Sequence, residues 1–269
     1  MKKTIYLIPG VGCDETVFKY LELPGYELVP IKWLSPHKHE TLKEYVKRLL
    51  PQIKKDTAPV FIGLSFGGIV AIELSKLVKT HKVFIISSIK TYHERPYKMS
   101  MLYLLKFYRM FPASLAVKFG FWHRWALGDL NEAEKELVND MLEKIDIRFN
   151  KWAVDQAIHW QNKDVPENLV HIHGDEDNIF PHIYIKNYHR IRGGTHFMIV
   201  RHARQISHII MHELQKSEHA PRRIAPQIAP KREKKISRKK LKKRGFRKLI
   251  VKMKKRLSRR NKKLKRMRA

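Results

Sequence analysis

The pentapeptide Gly63-Leu64-Ser65-Phe66-Gly67 sets a single hydroxyl between two glycines. It closes the apolar run Pro59–Ser65 and opens an apolar-periodic stretch, Gly67–Val78. A serine where a strand turns sharply into a helix contributes nothing to a core. Held clear of the sheet edge, its hydroxyl can act as a nucleophile, and the Phe66 amide at the helix start can face a developing oxyanion. Glycines at the flanks remove the Cβ atoms that so tight a turn would crowd.

At neutral pH a serine hydroxyl needs a base. The chain has 15 histidines, so position must select one. His196 lies in "IRGGTHFMIV", after the last apolar run and before the last helical pattern, and Gly193 and Gly194 permit the sharp turn that aims an imidazole back across a sheet. An acid to orient that imidazole is expected where "NLVHIHG" ends, among Asp175, Glu176 and Asp177. Open α/β sheets place their sites at this end of the strands. Asp177 is favoured, with Asp175 as the alternative or as a cap of the turn. A second oxyanion donor is expected from "LIPGVGCDETVF": the Val11 amide first, Gly12 or Cys13 otherwise.

Two rival constellations are weaker. His171-x-His173-x-Asp175 has a spacing used for zinc, but the run lacks the further Asp-His such sites carry. A strand ending in His-Gly before the acid loop explains it, so no metal and no cofactor is expected. Cys13, the sole cysteine, reads as a small residue packing a loop and excludes an internal disulfide.

The elements that must hold these groups alternate. Strand patterns cover Thr4–Pro9, Tyr26–Trp33, Pro59–Ser65, Lys82–Ile89, Asn168–Gly174 and Tyr188–Gly194; helical patterns cover Glu40–Ile53, Gly67–Val78 and Ala203–Lys216. Short strands, apolar on both faces and alternating with helices, make an α/β fold with a mostly parallel sheet of about six strands. Residues 90–165 carry only helical pattern and many aromatics, too long for a plain crossover, and are expected to form an inserted helical cap.

Charge divides the chain. Of 56 Lys/Arg and 25 Asp/Glu, residues 221–269 hold 25 and one, so this tail carries +24 and the rest +7. Residues 1–217 are expected to be the body, 218–231 a linker with three prolines, and 232–269 a basic tail. No apolar run reaches the ~20 residues of a membrane span. The apolar stretch Ile5–Ile8 after the N-terminal lysines is too short for a secretory leader, so the chain reads as cytoplasmic.

On "GLSFGG", "IHGDEDNIFP" and "GGTHFMI" the chain resembles the α/β-hydrolase superfamily, of the lidded single-domain kind, over about Lys2–Lys216. The resemblance implies Ser65, Asp177 and His196 as a triad, in the usual chain order, with the Phe66 and Val11 amides as oxyanion hole. The loop after the first strand usually carries His-Gly in this superfamily; here Pro9 stands for the histidine. The two edge strands that often open the fold have no counterpart before Thr4. A serine at the elbow argues against the branches that use aspartate there. The superfamily does not fix a substrate.

The expected activity is therefore serine hydrolysis of a carboxylic ester or thioester through an acyl-enzyme. From Lys90 to Leu130 the cap balance is +5, amid Met, Leu, Tyr, Phe and Trp. It either buries its own small core or lines an apolar acyl tunnel with a basic rim, suited to a lipid-like ester, an acyl thioester or an acidic carrier protein. Gly12, Trp152, His159 and Trp160 are candidates to line the pocket. The alternative is an inactive hydrolase-fold binding protein that engages an anionic surface or nucleic acid through its tail; the complete set of Ser65, Asp177 and His196 argues against it.

In the tail, Phe246, Ile250, Met253, Leu257, Leu264 and Met267 follow one another at steps of 4, 3, 4, 7 and 3, which puts them on one helical face. A basic amphipathic helix suits an anionic membrane surface, and the same charge suits nucleic-acid phosphates. Alone, the like charges repel and few apolar groups compensate. A 232–269 peptide is expected to be coil in buffer and helical on anionic vesicles by circular dichroism. Helix with RNA alone would point to nucleic acid instead.

Overall fold

The computed structural model describes residues 3–54, 58–96, 127–144 and 146–219. Six strands, β1 (Lys3–Ile8), β2 (Tyr26–Pro30), β3 (Val60–Leu64), β4 (Lys82–Ile86), β5 (Leu169–Gly174) and β6 (His189–Ile191), form one sheet in the order β2-β1-β3-β4-β5-β6. Every neighbouring pair is parallel. The order reverses between β1 and β3, so the C-terminal ends of these two strands flank the point where the chain switches direction across the sheet.

Alternation along the strands feeds two cores. Ile5 and Leu7 of β1 face one side, with Ile62, Phe84 and Ile172; Tyr6 and Ile8 face the other, with Phe61, Val83 and Ile85. The first face is covered by α6 (Ala203–His219), whose Ile206, Ile210 and Leu214 recur every fourth residue and are fully buried. Each such side chain contributes about 2 kcal/mol. The second face is covered by α1 (Leu42–Leu49) and α2 (Phe66–Ser75). Thr41 and Glu44 cap α1 reciprocally, satisfying two amides that the first turn leaves without partners. α2 is buried along most of its length, which is why its sequence is apolar all round rather than amphipathic.

Within the stretch expected to be a cap, the structure describes α3 (Glu132–Glu143) and α4 (Ile147–His159). Both share the body's cores. α3 adds Leu137, Val138 and Met141 to the α6 side, and α4 adds Phe149, Ala153 and Ala157 to the α1–α2 side. Residues 97–126 and the basic tail lie outside the described residues. Among the described residues no helix is long and apolar enough to cross a membrane.

A very close backbone approach lies where β1 ends and α2 begins. A Cβ on Gly67 would sit 2.1 Å from the Ile8 carbonyl oxygen and 2.4 Å from that of Pro9. Neither atom is the end of a flexible side chain, so relief requires moving β1 or α2. Gly67→Ala is expected to cost about 3 kcal/mol, seen as a lowered urea midpoint with an unchanged slope.

Candidate active site

Ser65 sits between β3 and α2 with φ 51° and ψ −117°. A left-handed φ at a serine costs on the order of 1–3 kcal/mol and persists only where its surroundings fix it. Here they do. The Ser65 amide donates to the Ile86 carbonyl at 2.9 Å, and the Ser65 carbonyl accepts from the Gly68 amide at 2.9 Å and from Ser88 Oγ at 2.7 Å. On the other flank a Cβ on Gly63 would meet the Gly67 carbonyl oxygen at 2.2 Å, so the elbow closes only with glycine there.

His196 lies between β6 and the short helix α5 (Met198–Arg201). Its Nε2 is 3.0 Å from Ser65 Oγ and its Nδ1 is 2.8 Å from Asp177 Oδ2. A carboxylate only accepts, so Nδ1 carries the proton and Nε2 is left to accept from the serine hydroxyl. Asp177 is 2% exposed, and its other oxygen accepts from the amides of Ile179 and Phe180, each at 2.8 Å. Burial raises the Asp177 carboxyl, but His196, His173 and the Phe180 amide outweigh burial and hold it below the ordinary carboxylate range. It therefore stays ionised through neutral and mildly acid pH. The stability it adds is complete above the ordinary carboxyl pKa and is lost as pH falls through its lower folded value.

Asp175 has a different occupation. It accepts from Arg190 at 2.7 and 2.9 Å and from the Gly193 amide at 2.7 Å. With Asp175 N donating to Ile191 O and Glu176 N to Gly194 O, it ties the acid loop to the turn that carries His196. Gly174 makes the approach possible, since a Cβ there would lie 2.0 Å from the Gly194 carbonyl oxygen.

The loop after β1 passes directly over the elbow: a Cβ on Gly10 would lie 3.3 Å from Ser65 Cβ. The Gly12 amide donates to Asn150 Oδ1 on α4 at 3.2 Å, and the Cys13 amide to the Gly10 carbonyl at 3.3 Å. Of the three candidate donors, only the Val11 amide is without an acceptor among the described residues. Phe66 is the first residue of α2, so its amide has no intrahelical acceptor. Asn150 escaped the sequence reading; a lone asparagine on an amphipathic helix gives no signal of such a partner.

Of the expected pocket residues, Gly12 lines a cavity of about 240 Å3 together with Trp33, Phe149, Met141, Lys32 and Lys144. Trp152, His159 and Trp160 are not among the residues that line this cavity. Trp152 stacks on Tyr45 with ring centroids 4.4 Å apart and donates to the Glu40 carbonyl. His159 is 2.7 Å from the Asp155 carbonyl on its own helix. Trp160 is buried against Glu73, near the far end of α2 from Ser65. α4 turns its Phe149 and Trp152 side toward Tyr45 and Phe66, which fixes where the rest of the helix faces.

Among the described residues no cluster of three or more His, Cys, Asp or Glu could hold a metal ion. Burial, with the neighbouring Asp14 charge, pushes the Cys13 thiol up to about 12. The thiolate is the reactive form, so iodoacetamide near neutral pH is expected to leave the folded chain unalkylated and to label its single cysteine once the chain is unfolded, as read by intact mass.

No protein-family model and no curated protein matches the sequence. Solved structures do match the fold. A bromoperoxidase from Bacillus anthracis superposes with TM-score 0.57 at 17% identity, over 80% of this chain and 92% of its own. A lipase-esterase related protein from Clostridium acetobutylicum gives 0.56 at 18%, over 78% and 94%, and an esterase from Exiguobacterium antarcticum 0.59 at 13%, over 79% and 92%.

Proposed function

We propose that this chain, whose fold is that of the α/β-hydrolases, is a serine hydrolase that cleaves a carboxylic ester or thioester through an acyl-enzyme. The observation that carries the reading is the unbroken hydrogen-bonded line from Ser65 Oγ through His196 to Asp177. His196 Nε2 takes the Ser65 proton as Oγ attacks the acyl carbon, and Asp177 holds the imidazole in the useful tautomer and stabilises its charged form. The Phe66 and Val11 amides receive the oxyanion. Collapse breaks the bond to the leaving alkoxide or thiolate, which takes the proton from His196. Water, activated by the same imidazole, then attacks the acyl-serine, and the acid departs with Ser65 reprotonated.

The cavity beside the oxyanion loop, walled by Trp33, Phe149 and Met141 and rimmed by Lys32 and Lys144, supports an apolar, lipid-like acyl or alcohol group on the substrate. The basic tail would bring such a substrate's surface to the body.

A fluorophosphonate probe is expected to label Ser65, and Ser65→Ala to abolish labelling. Absence of labelling on folded protein between about pH 6 and 9 would overturn the reading. Asp177→Asn is expected to lower turnover of a short-chain nitrophenyl ester by about 10⁴-fold, whereas Asp175→Asn, which loosens only the Arg190 and Gly193 contacts, should cost far less. The reverse ranking would move the acid two residues upstream.

A further inference from the structure

Next to Asp177 lies a buried polar chain that the proposed reaction does not use. Lys90 and Glu94 belong to the segment that follows β4, and His171 and His173 share one face of β5. They are 7%, 5%, 2% and 0% exposed. Polar groups buried this deeply are costly unless every one is paired. The pairing is complete and it has a direction.

The Lys90 ammonium has three protons and meets three acceptors: Glu94 Oε1 at 2.9 Å, His171 Nδ1 at 2.9 Å and the Lys186 carbonyl. Lysine cannot accept, so His171 Nδ1 is the acceptor and its ring proton sits on Nε2. His171 Nε2 is 3.2 Å from His173 Nδ1, which must then accept, leaving the second ring's proton on its own Nε2. His173 Nε2 is 2.7 Å from the Phe180 carbonyl, where the chain ends because a carbonyl cannot donate. A doubly protonated His171 is opposed by its burial, by the Lys90 charge and by His173.

The far end of the chain grips the acid loop. The Phe180 amide holds Asp177 Oδ1, and the Phe180 carbonyl is held by His173. His173 Nε2 also stands 3.6 Å from Asp177 Oδ2, the oxygen that faces His196. Were the His173 proton on Nδ1, a lone pair at Nε2 would confront both the Phe180 carbonyl and the carboxylate, and the loop would have to withdraw.

We propose that Lys90 is a positioning residue for Asp177: it sets the direction of this chain, fixes His171 and His173 as Nε2–H tautomers, and thereby holds the acid in register with His196. The proposal rests on the reading of Asp177 as the partner of a catalytic His196. It goes beyond that reading in assigning a task to a lysine that touches neither substrate nor triad.

Two measurements test it. In full-length protein with 15N-labelled histidine near pH 7, with signals assigned from His171→Gln and His173→Gln, both rings should show a protonated Nε2 and an unprotonated Nδ1. A protonated Nδ1 on either ring overturns the proposal, and this holds whether or not the chain turns over an ester, so failure here is distinct from failure of the hydrolase reading. The double variant Lys90→Met/Glu94→Gln then removes both charges at nearly constant volume, so no buried charge is left alone. It should scramble the tautomers and lower kcat by roughly 10–100-fold, with KM nearly unchanged and fluorophosphonate labelling of Ser65 slowed in parallel. Lys82→Met, which breaks the pair with Glu213 at 3.3 Å, serves as a control for general destabilisation and should keep kcat. Retained kcat in the double variant, or a fall in kcat with both tautomers unchanged, would overturn the proposal.

Discussion

At Gly67 the backbone of α2 passes so close to the end of β1 that no side chain fits between them, and the geometry of the site follows from that contact. Because α2 starts this near to Ile8 and Pro9, the elbow is folded back over the sheet edge, and Ser65 is driven to its positive φ. The same approach lays the loop after β1 across the elbow, with Gly10 against the serine. One packing constraint thus sets Ser65 at the start of α2 and lays Gly10 of the loop after β1 against it. The cost is backbone strain at a single residue. Hydrogen bonds to Ile86, Gly68 and Ser88, all buried, hold it there.

The other half of the site is assembled by stitching rather than by strain. β5 and β6 are neighbours, and Gly174 lets the loop after one touch the turn after the other. Asp175 binds that turn through Arg190 and Gly193, which frees Asp177 to face His196 from inside the protein. The two aspartates are two residues apart but live in different media. Asp175 is anchored at the surface. Asp177 is enclosed and held ionised by donors on every side, which suits a group that must stay charged beside an imidazole.

α4 and the segment after β4 show how the body supports the site from outside it. Asn150 reaches from α4 to accept from the Gly12 amide and so anchors the loop after β1. Lys90, paired with Glu94, begins the polar chain that ends on the Phe180 carbonyl of the acid loop. Both supports come from described chain on either side of residues 97–126.

The sequence by itself determined the order of strands and helices, because alternation in strands and apolar periodicity in helices are local properties that survive without knowledge of neighbours. It also determined where the chain turns: glycine at 63 and 67 around Ser65, and at 193 and 194 before His196, announces turns that other residues cannot make. Only the tertiary structure put Asp177 rather than Asp175 against His196, left the Val11 amide without an acceptor among the described residues where those of Gly12 and Cys13 have one, and gave Trp152, His159 and Trp160 the partners they have. It turned His171 and His173 from a metal-like spacing into a hydrogen-bonded relay. The physical reason is the same in each case. A polar group's role is set by the angle and distance to partners on other loops, here from 19 residues away for Asp177 and His196 to 138 for Gly12 and Asn150, and no local pattern encodes those.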